Sequence, residues 1–328
     1  MKAYVIERAG GPDVLQMRNI ETVKPQADEV RIKVRAFGLN RAEAYLRAGK
    51  MGLIESARVP GIEAVGEVID DPAGVFHTGQ RVATAMGGMQ FTRNGSYAEE
   101  VTVLRSNVID LSDIPLDWAA LAALPQAFLT AWGALDHALK IQKGETLLIR
   151  GATSTVGLAA TSYAHHNGVK VVATTRNEQH RQRLLDAGAD DVVIDHGEIG
   201  ETLKSHYGQG LDAVLDIVGG QTLLDSAKAL RPFGRLTAIG LLSGPPVFAN
   251  LNLMTDLPPA VSLSFFPSQL FGTPLLPLAS SPLRHIATAI AKGQMNALPF
   301  KTLSFDQLRE AHQWLDTTRD PGKLVIVL

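Results

Sequence analysis

The chain contains no cysteine, which rules out disulfide staples, thiolate metal ligands and a cysteine nucleophile. No stretch approaches the ~18–20 uninterrupted apolar residues of a membrane span. Blocks of like charge are also missing: 31 Lys and Arg stand against 33 Asp and Glu, a formal net charge of −2. Neither nucleic acid nor a membrane is therefore expected as a partner. None of the nine histidines stands in a metal-ligand spacing, and the adjacent His165 and His166 point to different sides of one predicted helix. The start, MKAYVIERAGG, reads as a strand, without the apolar run and small-residue cleavage site of a signal peptide. A cytoplasmic location is the expectation.

What is present points to two folded units. A chain of 328 residues exceeds what one hydrophobic core usually serves. A content of 45% hydrophobic and 20% charged residues is an ordinary globular balance. The first third holds short β-type runs at 29–36, 64–69, 80–83 and 97–103, broken by glycine and proline. From Asp117 the rhythm becomes apolar strand, helix, apolar strand: 145–150, 156–166, 169–174, 178–187, 211–218, 221–230 and 234–240. That alternation predicts a parallel sheet covered on both faces, a doubly wound α/β fold. Residues 243–282 carry many prolines around one predicted strand, 261–266, and the tail offers a helix at 305–316 and a strand at 323–327. A terminal strand needs a partner, and the N-terminal β-rich domain is its natural host. The predicted organisation is thus a discontinuous domain, 1–122 with 271–328, enclosing a second at 123–270.

The run ETLLIRGATSTVGLAATSYA reads as strand, tight turn and helix start. In a dinucleotide fold such a turn aims backbone N–H groups and a helix N-terminus at the pyrophosphate. Gly151, Ala152, Thr153, Ser154, Thr155, Val156 and Gly157 are the candidate cradle, in which Ser154 and Thr155 replace expected glycines. Their hydroxyls are candidate phosphate donors. The next predicted strand ends in Thr174, Thr175 and Arg176, where an NAD-preferring site places Asp or Glu. A charge-assisted bond from Arg176 to a 2′-phosphate, about 1.5–3 kcal/mol, corresponds to roughly tenfold or more in favour of NADPH. The alternative is that Arg176 is a solvated charge at a helix start.

In order along the chain stand AFGLNRAEAYLRAG, VPGIEAVGEV, GQRV, GSYAEEV, AALPQAFLTAWGAL, GATSTVG and PGKLVIVL. This series resembles the medium-chain dehydrogenase/reductase superfamily over essentially the whole chain. The resemblance implies a GroES-like β-rich domain, a Rossmann domain, and an active site in the cleft between them. Zinc-dependent members place a cysteine and a histidine where this sequence has Asn40 and Ile62, so zinc is not expected; Glu63 alone would be structural.

What remains resembles the quinone oxidoreductase branch. By that resemblance Asn40 would bond the nicotinamide ribose or substrate, Tyr45 would line the substrate side, and Thr130 would sit beside the nicotinamide. His196, Gly240, Leu241, Phe265, Phe266 and Lys323 are further implied cofactor contacts. Related enoyl-thioester reductases carry a proton-donating tyrosine where this chain has Met51, which counts against that chemistry, since it needs a general acid near the α-carbon. The expected activity is hydride transfer from NADPH to a small electrophile, a quinone or conjugated enone. An enoyl or acryloyl-thioester reductase and a non-catalytic NADPH-binding sensor stay open as alternatives. A homodimer is expected, paired through an edge strand at 261–266.

Overall fold

In the computed structural model every residue is described except Leu241, Pro245, Pro246 and residues 318–321, together with the side chain of Gln221. The chain divides into two compact units. The first comprises Met1–Leu129, Gln269–Ala291 and Pro299–Leu328; the second comprises Thr130–Ser268 and Lys292–Leu298. The division falls inside the helix Pro125–Trp132, some residues beyond the expected 122/123 boundary, and the short segment Lys292–Leu298 goes with the second unit.

The first unit is built on a seven-stranded sheet. Its longest strand, Glu29–Gly38, shows why: Val30, Ile32, Val34 and Ala36 point inward, while Arg31, Lys33 and Arg35 alternate outward. The two outward arginines meet acids on the neighbouring strand, Arg31 reaching Asp70 at 3.7 Å and Arg35 reaching Glu67 at 2.6 Å. The final strand, Lys323–Val327, lies parallel to Phe300–Ser304 on one side and antiparallel to Glu29–Gly38 on the other. The tail therefore completes the N-terminal sheet, as the sequence suggested. Val325 and Ile326 are fully buried there.

The second unit is a six-stranded parallel sheet of Thr146–Arg150, Lys170–Thr175, Asp191–Ile194, Leu211–Asp216, Leu230–Ala238 and Ser262–Phe265. Numbered along the chain, the strands lie in the order 3-2-1-4-5-6, the arrangement of a Rossmann fold. Order reverses between the first and fourth strands, the crevice at whose carboxyl end such sheets bind ligands. The third strand, Asp191–Ile194, is absent from the predicted elements because a tetrapeptide, DVVI, is too short to carry a periodic signal.

The helical stretch Trp118–Leu139 is long and apolar enough, by length and composition, to cross a membrane. A buried core element passes the same test, and 83% of its apolar window lies inside the protein.

Removing side-chain volume from the final strand should be far more damaging than removing it from an exposed loop. Ile326→Ala is expected to cost about 2–5 kcal/mol in denaturant unfolding, and Leu253→Ala, which is 68% exposed, within about 0.5 kcal/mol.

Candidate functional site

In the second unit the turn after the first strand has the form a dinucleotide needs. Gly151 turns the chain in the left-handed region, with φ of +84°, and its N–H is held by Thr174 Oγ1 at 3.1 Å. Gly157 cannot carry a side chain, since a Cβ would stand 2.6 Å from the Ala152 carbonyl oxygen. The turn and the helix Thr155–His166 thus pack backbone on backbone. That helix begins directly after the turn, with its N-terminus at the carboxyl end of the first strand. These features fit a pyrophosphate.

Ser154 is engaged within the turn itself. Its hydroxyl donates to the Gly151 carbonyl at 2.9 Å and accepts from Gly157 N–H at 3.1 Å. The single hydroxyl proton is already given, so Ser154 shapes the turn and caps the helix. Ala152 is buried; Thr153, Thr155 and Val156 are half-buried. At the end of the second strand Thr174 and Thr175 are buried, and only Arg176 is exposed. Thr175 Oγ1 closes a local turn with Asn177. Arg176 enters no hydrogen bond or ion pair among the described residues.

His196 is exposed beyond the third strand, and Gly240 packs against the backbone of Ile217 at the end of the fourth. Phe265 lies on the edge strand, 48% exposed, whereas Phe266 is buried. Thr130 is buried in its helix. Leu241 lies outside the described residues.

The first unit holds a different kind of site. Lys323 Nζ, buried, lies 2.6 Å from Glu63 Oε1 and donates to Asn40 Oδ1 at 2.6 Å. The Asn40 amide nitrogen donates to Glu63 Oε1 at 2.8 Å and to Glu43 Oε1 at 3.3 Å. Glu63 Oε2 accepts from Gln126 N–H at 2.8 Å, and Glu43 accepts from the backbone N–H groups of Asn40 and Ile62. Both donor hydrogens of Asn40 are therefore engaged within the protein. Lys323, expected beside the cofactor, has its charge matched inside the unit by Glu63.

Glu43 was missed altogether, although Asn40-x-x-Glu43 carries the spacing of a capping box that opens the helix Arg41–Arg47. Burial pushes its carboxyl up to about 7, against the pull of its N–H donors and of Lys323 and with the added push of Glu63. The far end of this helix is pinned too. Arg47 donates to His312 Nδ1 at 3.3 Å and pairs with Asp316 at 2.5 Å. Arg47 can only donate, so the ring proton sits on Nε2, 2.9 Å from the Tyr97 hydroxyl. Burial, then the Arg47 charge, holds His312 down at about 3, a neutral ring. Tyr45, on the same helix, is half-buried; its hydroxyl has no hydrogen-bond partner among the described residues, and Lys50 Nζ lies 5.5 Å from its ring. Met51 is 38% exposed. Among the described residues no group of three or more His, Asp or Glu stands together as a metal site.

Two family profiles match: the alcohol dehydrogenase GroES-like domain over residues 26–113 and the zinc-binding dehydrogenase over 155–279. Human quinone oxidoreductase is 31% identical over 247 residues, 73% of this chain and 73% of that protein. A mycobacterial protein solved in complex with NADPH superposes with a TM-score of 0.85 at 27% identity, covering 100% of both chains. The Escherichia coli quinone oxidoreductase complexed with NADPH gives a TM-score of 0.84 at 24% identity, again over 100% of both.

Glu43 should leave a measurable pH signature. Its folded pKa, about 7, exceeds the ordinary 4.5, so the folded state binds the extra proton. Its contribution to stability is complete below the ordinary value and is lost as pH rises through about 7. Urea unfolding of wild type and Glu43→Gln at matched pH values should show the wild type losing stability relative to the variant across that window; parallel curves would refute it. Separately, Lys323→Met, which leaves Glu63 buried and unpaired, should cost about 3–5 kcal/mol, and Glu63→Gln in the same chain should recover part of it.

Proposed function

The chain belongs to the quinone oxidoreductase branch of the medium-chain dehydrogenase/reductase superfamily, and from that membership we propose that it is an NADPH-dependent, zinc-independent enzyme reducing a quinone or conjugated enone. The observation that carries the reading is the pairing, in one unit, of a cradle closed to any side chain at Gly157 with an exposed, unpaired Arg176 at the next strand end. The bound dinucleotide would supply the hydride. The chain's residues bind and orient: the helix opening at Thr155 faces the pyrophosphate, and Arg176 takes the 2′-phosphate that an acidic residue would repel.

Zinc independence is supported by the donor set. Asn40, its amide already bonded to Lys323, Glu63 and Glu43, and the alkyl side chain of Ile62 offer neither thiolate nor imidazole. Asn40 acts by holding the first turn of its helix, and Tyr45, with its hydroxyl open, contacts the substrate or returns a proton to it. A quinone suits such a site, because the anion left by hydride addition is delocalised and solvent can protonate it. No strong acid–base pair is then required. We further propose a cytoplasmic homodimer joined along Ser262–Phe265, an edge strand with three of its four residues exposed.

NADPH and NADH oxidation, followed by near-ultraviolet absorbance with and without a simple quinone, tests the assignment. Quinone-dependent turnover favouring NADPH is expected, with the preference reduced about tenfold or more in Arg176→Ala. Tight binding without turnover on quinones and enones would overturn the reading. Light scattering should give twice the chain mass; a monomeric mass would exclude the edge-strand dimer.

A further inference from the structure

The first strand of the parallel sheet ends on Arg150, immediately before the cradle and with none of its surface exposed. Its Nε and Nη2 grip the two oxygens of Asp195 at 2.8 and 3.0 Å, and Nη2 also reaches Gly197 O at 2.6 Å. Nη1 donates to Asp225 Oδ2 at 2.8 Å, with Ser226 Oγ at 3.0 Å and Thr222 O at 3.1 Å. Every guanidinium donor is engaged. Asp225 in turn accepts the N–H groups of Ile199 and Gly200, and Ser226 donates to Asp216 at 2.6 Å. Packing alone does not explain this arrangement. Removing such charges from water costs several kcal/mol per ion, and apolar replacements of buried ion pairs are often neutral or stabilising.

The place of Asp195 supplies a reason. It follows the third strand, and its N–H bonds the carbonyl of Thr175 at 2.8 Å, next to Arg176. Burial would raise its pKa. The hydrogen bonds from Arg150 and Gly197, then the charges of Arg150 and Arg176, outweigh that and lower it. Asp195 is thus ionised and within the field of Arg176, yet both its oxygens are turned to Arg150. An unclamped carboxylate here would draw Arg176 into an ion pair and repel a 2′-phosphate.

We propose that Arg150 determines cofactor choice from beneath the surface: by engaging both oxygens of Asp195 it keeps Arg176 unpaired for the 2′-phosphate of NADPH. Arg150 is a positioning residue that touches no ligand. The inference rests on the reading of Arg176 given above.

Dissociation constants for NADPH and NADH, measured by calorimetry on the purified chain, read this without turnover. Asp195→Asn alone removes a carboxylate whose two oxygens are already turned to Arg150, so the NADPH/NADH affinity ratio should change by less than about threefold, under ~1 kcal/mol. Arg150→Met releases Asp195, and the ratio should fall about tenfold or more; adding Asp195→Asn in that background should restore it. A purely structural Arg150 would weaken both cofactors together and leave the ratio unchanged, which would overturn the proposal. So would a tenfold gain in NADPH preference from Asp195→Asn alone, a result that decides the matter even if Arg150→Met does not fold. Failure of the underlying reading shows elsewhere: Arg176→Ala in the otherwise wild-type chain would then leave the ratio unmoved.

Discussion

The ammonium group of Lys323, buried between Glu63 and Asn40, is the constraint on which the first unit depends. It comes from the final strand, the glutamate from the start of the strand Glu63–Asp70, and the amide from the turn after Glu29–Gly38. Three segments distant in sequence therefore meet at one charge. Glu63 also receives the Gln126 N–H, so the same pair fixes where the helix Pro125–Trp132 begins. A side chain without the positive charge would leave a buried carboxylate unmatched, and that penalty exceeds what a surface ion pair contributes.

The second unit uses the same device with the other cation. Arg150 presents a planar fork with fixed donor directions, which suits several acceptors at once, where a lysine provides a single point charge. Its partners lie after the third strand and in the segments following the fourth, so one guanidinium ties together the carboxyl ends of several parallel strands. Those ends are where the cradle lies. Rigidity at the base of a loop cluster allows the loops themselves to remain open to a ligand.

Much of the architecture was legible because periodicity reports burial directly. The alternation in EVRIKVRA and the continuous apolar runs of the parallel strands each follow from which faces water reaches. The cradle was legible because a backbone-on-backbone approach permits only glycine at Gly157. Less visible were the residues whose meaning depends on a distant partner. Nothing local to Lys323 reveals Glu63 beside it. Arg150 read as the end of an apolar strand until Asp195 and Asp225 came into contact with it. The bond from the Ser154 hydroxyl to Gly151 O is equally hidden, since a hydroxyl's proton cannot be followed from sequence. Glu43 was within reach, as N-x-x-E at a helix start has a known meaning.

The separation of Asn40 from Lys323, 283 residues, also orders events at the ribosome. At about 5–20 residues per second, Lys323 emerges roughly 15–60 s after Asn40. The second unit's continuous segment, Thr130–Ser268, is synthesised whole within that interval, with its Arg150 and both partner aspartates already present. Glu43 and Glu63 meanwhile have no lysine to seal beside them, and the sheet lacks the strand that completes it. The nascent N-terminal segment must therefore keep those carboxylates wet, and the nucleotide-binding half has time to close first.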